Sequence, residues 1–113
     1  MINLLVDEAY AFDFLSILEV KNNKMGVCEE YIIKCCESIK DQIGVVLFEE
    51  IIKSKEYKAL YEANLNVFET IDLAKQDLVT ASEVDTLNFE RYINKTKLQK
   101  RFFEITTLEE KKN

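Results

Sequence analysis

The segment 57–78, YKALYEANLNVFETIDLAKQDL, contains two carboxylates three positions apart, Glu69 and Asp72. Residues at that spacing share one face of a helix, so the pair would present hard oxygen ligands side by side, one wall of a divalent-metal site. The same segment carries a seam in which Tyr57, Asn64, Ile71 and Leu78 recur every seven residues. Leu60, Val67 and Ala74 follow the first three at a step of three. An amide at Asn64 costs such a seam stability, yet it can set register or oligomeric state when it meets a partner. At the edge of a buried face it would instead bond a neighbouring helix or water. A core helix, half of an interface and a metal-site wall are the three readings this segment leaves open.

Several other chemistries are excluded. The chain has no histidine, which removes imidazole acid–base catalysis and every Ser/Cys–His triad. The four-helix di-iron site built on Glu-x-x-His pairs goes with it. Cys28, Cys35 and Cys36 lack the paired spacing of a zinc site and read as buried structural thiols. No Gly-rich phosphate loop is present. The run RYINKTKLQKR, residues 91–101, holds five basic residues and no acid, with Tyr92 inside it and Phe102 and Phe103 just after. Such a run can bind phosphate backbones, but an acidic chain repels nucleic acid at long range. The expectation is a solvated face, or one docked on the acidic helices.

Glu49-Glu50-Ile51-Ile52-Lys53, followed after residues 54–68 by Glu69-Thr70-Ile71-Asp72, resembles the paired motifs of the all-α nucleoside triphosphate pyrophosphohydrolases. In that family an EExxE helix faces an ExxD helix. The resemblance implies Mg²⁺ as cofactor, with Glu49, Glu50, Glu69 and Asp72 as ligands, clamping a triphosphate and activating water. Lys53 stands where the family has glutamate; one carboxylate fewer and one positive charge more would weaken the site. A second resemblance runs through INLLVDEAYAFDFLSILEVK, LYEANLNVFETIDLAK and LEEKK. These stretches are similar to a small uncharacterised bacterial family associated with surface-polysaccharide and sugar-biosynthesis gene neighbourhoods. That resemblance implies a helical, cytoplasmic accessory protein and gives no residue a role.

The elements that must position these groups are helices. Proline is absent and glycine occurs twice, at Gly26 and Gly44, so the turn residues that sheets need at short intervals are missing. Asp7 is placed to cap a first helix whose apolar face includes Phe12, Leu15 and Leu18, with Phe14 and Ile17 beside them; KNNKMG (21–26) ends it. The stripe Cys28, Ile32, Cys35, Ile39, Ile43, Val46 and Leu47 predicts a second helix, with Gly44 marking a break near Asp41–Gly44. Ser54 is placed to cap the third, and Thr80 or Ser82 the fourth, each with an acid three residues on. The fourth is expected to turn Phe89, Tyr92, Ile93, Thr96 and Phe103 inward, with Lys95, Lys97, Lys100 and Arg101 largely outside.

A chain of 113 residues, 48% hydrophobic and 32% charged, suits one globular core. The expected fold is all-α: a compact bundle of about four helices, the second and third forming a long antiparallel hairpin. Residues 1–108 read as one helical domain and 109–113 as a frayed tail. The start MINLLVDEAY carries no positive leader and no long apolar run, so neither a signal peptide nor a membrane anchor is expected. Three cysteines, two of them adjacent, suit a reducing cytoplasm. The net charge of -6 divides into -10 over residues 1–90 (8 Lys/Arg, 18 Asp/Glu) and +4 over 91–113 (7 against 3). Such an asymmetry can pair with itself. The function these features suggest is a non-catalytic interaction or accessory protein without cofactor. It would bind a protein partner or its own copy through Tyr57, Tyr61, Asn64, Phe68 and Phe102, and would bind neither nucleic acid nor membrane.

Overall fold

A computed structural model describes residues 2, 4–75 and 80–103, with side chains described as far as Ile71 and again from Thr80. Among these residues the regular structure is entirely helical: α1 (Glu8–Met25), α2 (Glu29–Ile43), α3 (Val45–Ile52), α4 (Lys55–Lys75) and α5 (Ala81–Phe103). The tail 109–113, and Leu78 of the seam, lie outside the described residues.

Local chemistry sets the helix ends. Asp7 is extended, and its carboxylate accepts the Tyr10 N–H at 2.7 Å, satisfying one of the amides a helix start leaves open. Gly26 closes α1 in the left-handed region at φ 67, its N–H donating to the Asn22 carbonyl. Ser54 accepts the Tyr57 N–H at 3.1 Å to start α4. Thr80 starts α5 with a complete capping box: its hydroxyl accepts the Glu83 N–H at 3.2 Å, and the Glu83 carboxylate accepts the Thr80 N–H at 3.3 Å.

The predicted second helix is two helices. Gly44 has φ 91 and ψ 156, a conformation essentially reserved for glycine, so the chain turns there and α3 leaves α2 at a new angle. The arm that faces α4 is thereby shortened to the eight residues of α3. The longest antiparallel neighbours are α4 and α5, where Arg101 in the last turn of α5 pairs with Glu56 in the first turn of α4.

The core gathers where α1, α3 and α4 meet. Phe12 lies tilted at 6.0 Å from Phe48 and edge-on at 6.1 Å from Tyr57, among the buried Leu15, Ile51, Leu60 and Leu98. Burying each such side chain contributes about 1.5–3 kcal/mol.

The phase of α5 differs from the expectation. Lys95, Thr96, Leu98 and Gln99 are its buried residues, whereas Phe89 is 62% exposed. The reason is polar satisfaction. Gln99 accepts the Ala9 N–H at 2.7 Å and donates to Glu8 at 2.8 Å, so α5 caps the start of α1 from ninety residues away. An apolar residue in that slot would leave a helix-terminal amide without an acceptor.

Candidate functional site

The best-formed polar site lies where α1, α4 and α5 meet. Asp13 is 3% exposed, although it stands in the apolar run of α1. Arg91 of α5 grips it with two bonds, Nε to Oδ1 at 3.1 Å and Nη2 to Oδ2 at 2.5 Å. The Asn64 amide donates to Asp13 Oδ1 at 2.9 Å and to Ser16 Oγ at 2.6 Å. Ser16 donates its own proton to the Asp13 carbonyl at 2.8 Å, leaving its oxygen free to accept from Asn64. Each member is satisfied by another, which is what a structural network requires. Three donors, from Arg91 and Asn64, converge on this buried carboxylate, so its oxygens are engaged in structural bonds.

A second cluster surrounds Glu19. Tyr57 is buried, and its hydroxyl donates to the Glu19 carboxylate. Burial first, and this bond second, push the Tyr57 hydroxyl far above its ordinary range. Burial, the neighbouring Cys36 and Glu19 push the Cys35 thiol up to about 11. Cys36 is also raised, chiefly by burial and then by Glu19. Nucleophilic cysteines need the opposite shift. Beside this cluster runs a shallow groove of about 430 Å³, bordered by Glu19, Asn23, Lys53, Lys58, Tyr61 and Glu62. Across one end Asn23 donates to the Tyr61 hydroxyl at 2.7 Å.

The acidic motifs are held elsewhere. Glu49 pairs with Lys53 at 3.9 Å within α3, and Glu69 pairs with Lys24 of α1 at 3.2 Å. Glu50 is exposed. The side chain of Asp72 lies outside the described residues. Lys53 closes α3 and Glu69 stands on the fourth turn of α4, a separation of roughly 20 Å along the chain at 1.5 Å per residue. Among the described residues no three acidic or thiol side chains converge as a metal site.

The interface candidates divide. Tyr57 and Asn64 are core residues, 6% and 5% exposed, and that burial corrects their assignment to a surface. At Asn64 the seam of α4 closes within the molecule, because Asp13 and Ser16 answer its amide, whereas Ile71 is exposed. Tyr61, Phe68 and Phe102 are half-buried, and Arg101 lies over the Phe102 ring at 4.7 Å. Arg91 and Arg101 of the basic run are paired with Asp13 and Glu56. No family model, curated protein or solved structure matches this chain.

Asp13, Ser16, Arg91 and Gln99 were not legible as site residues. The available signal was Asp13 and Ser16 interrupting YAFDFLSIL: an acid and a hydroxyl in an apolar run, at the spacing of one helical face. The exposed apolar side chains are also elsewhere than expected. Leu4 and Leu5 are 75% and 94% exposed, and Tyr10 and Phe14 about half. Among the described residues no helix is long and apolar enough to cross a membrane.

Proposed function

We propose that the protein is a non-catalytic helical interaction module of the bacterial cytoplasm, acting on a protein surface, its own copy included. Its fold reads as about four helices, with α2 and α3 as one arm bent at Gly44. The observation that carries the reading is the solvent side of α1. A surface helix normally turns charged residues to water, but here Tyr10 and Phe14 stand half exposed on one stripe, and Leu4 and Leu5, just ahead of the helix in sequence, are exposed. Large contiguous apolar patches on a folded domain mark interaction sites. The neutralised polar cluster and the raised thiols agree with a scaffold role.

The test is the melting temperature with Mg²⁺ and a non-hydrolysable nucleoside triphosphate. An interaction module is expected to show no shift, whereas a nucleotide pyrophosphohydrolase would be stabilised by its bound ligand. A rise that disappears in Glu69→Gln overturns the reading.

A further inference from the structure

Asp7, Tyr10, Phe14, Ile17 and Lys21 recur along α1 at alternating steps of three and four, the spacing of a helix–helix seam. The opposite side of the helix is already used: Asp13 and Ser16 meet α4 and α5, and Phe12 and Leu15 enter the core. Hydrophobic residues therefore run around the whole of α1, a pattern that belongs to helices buried on every side. In the single chain the seam side is only partly covered: Lys95 of α5 lies over the Tyr10 ring at 5.7 Å, while Phe14 remains half exposed.

We propose that a second copy of this chain covers that side, with the two α1 helices packed antiparallel about a two-fold axis near Phe14. This rests on the interaction-module reading and names its partner. Two observations select a second copy over a foreign chain. The first is charge. The seam begins at Asp7 and ends at Lys21, with apolar residues between. Reversed against itself, its acidic end meets its own basic end, and the same patch serves both partners, as a two-fold interface requires. Parallel pairing would set Asp7 against Asp7.

The second is area. Ile2, Leu4, Leu5 and Val6 lead into the seam at exposures of 84%, 75%, 94% and 39%, and Tyr10 and Phe14 add 49% and 50%. With an aromatic side chain presenting ~200 Å² in full and an aliphatic one somewhat less, these six residues together expose roughly 700 Å². A standard stable interface buries about 800 Å² per partner, so these residues can supply most of the area one partner needs.

The experiment is light scattering over a dilution series on the full chain, Phe14→Glu and Lys21→Glu, with circular dichroism of each. The expected result is a wild-type mass of twice 13.2 kDa that falls on dilution. Phe14→Glu places two like charges at the axis and should weaken the dimer on the order of 100-fold while keeping its helicity, because Phe14 is half exposed. Lys21→Glu, at an exposed position, should weaken it about two- to tenfold, and it carries the test alone if Phe14→Glu does not fold. A wild type monomeric at every concentration overturns the second copy. A dimer unmoved by both substitutions overturns its place on α1. Failure of the interaction reading itself is seen separately, in the nucleotide-dependent melting shift.

Discussion

Asp13 stands between two phenylalanines, is almost wholly inaccessible and is paired with Arg91. Arg91 makes this tolerable. Taking a carboxylate out of water costs several kcal/mol, and a two-point guanidinium contact with an amide donor returns much of that. The pair is therefore more informative about specificity than about net stability: it fixes the rotation of α5 against α1. Arg91→Ala leaves Asp13 with the Asn64 amide and is expected to cost about 3 kcal/mol or more in urea unfolding. Asn64→Leu removes the Asn64 bonds to Asp13 Oδ1 and Ser16 Oγ and is expected to cost ~1–3 kcal/mol. The substitution should leave the solution mass unchanged, because this amide answers an internal partner. A change of oligomeric state in Asn64→Leu would return the α4 seam to the surface.

Among the elements, Gly44 decides the most. The apolar stripe of α2 continues in helical phase into Val46 and Leu47, so periodicity alone predicts one helix there. A glycine inside a continuous helix is destabilising, and replacing it by alanine would gain about 1 kcal/mol. The observed φ of 91 and ψ of 156 reverse that sign. Nothing lies within 4 Å of the position a Cβ would occupy, so the cost of alanine is one of backbone conformation alone. Gly44→Ala is expected to lower stability by ~1–3 kcal/mol. A gain measured by urea unfolding would mean that α2 and α3 prefer to be continuous. The bend is useful to the fold because it brings Phe48 and Ile51 onto Phe12 and Leu60 while leaving Val46 84% exposed.

At the scale of the molecule, the groups around Glu19 make stability depend on pH. In the unfolded chain Cys35 ionises near its ordinary value of 9.0, whereas the folded protein holds its proton to about 11. Tyr57 is raised in the same direction, chiefly by burial. Above pH 9 the unfolded state releases protons that the folded state keeps, so the equilibrium moves toward unfolding. The stabilisation is complete below that point and is lost as pH climbs toward 11 and beyond. The urea midpoint should be level between about pH 7 and 8 and fall by pH 10.5; Cys35→Ala should make the decline shallower without abolishing it, Tyr57 remaining. A midpoint that is flat across this range would place both groups in water.

Turn residues, caps and apolar periodicity were enough to give an all-helical chain with Asp7, Gly26, Ser54 and Thr80 at its helix ends. These features act over three or four residues, and the chain carries them locally. The rotation of α5, the closure of the α4 seam on α1 at Asn64 and the partner of Glu69 were decided only by the tertiary structure. Each depends on groups dozens of residues apart: Asp13 with Arg91, Ser16 with Asn64, Gln99 with the Ala9 N–H, Glu69 with Lys24. Hydrophobic burial is non-directional and leaves several helix rotations close in free energy. Buried polar groups such as Asp13, Asn64 and Gln99 are paired in few arrangements, and that constraint selects among the rotations.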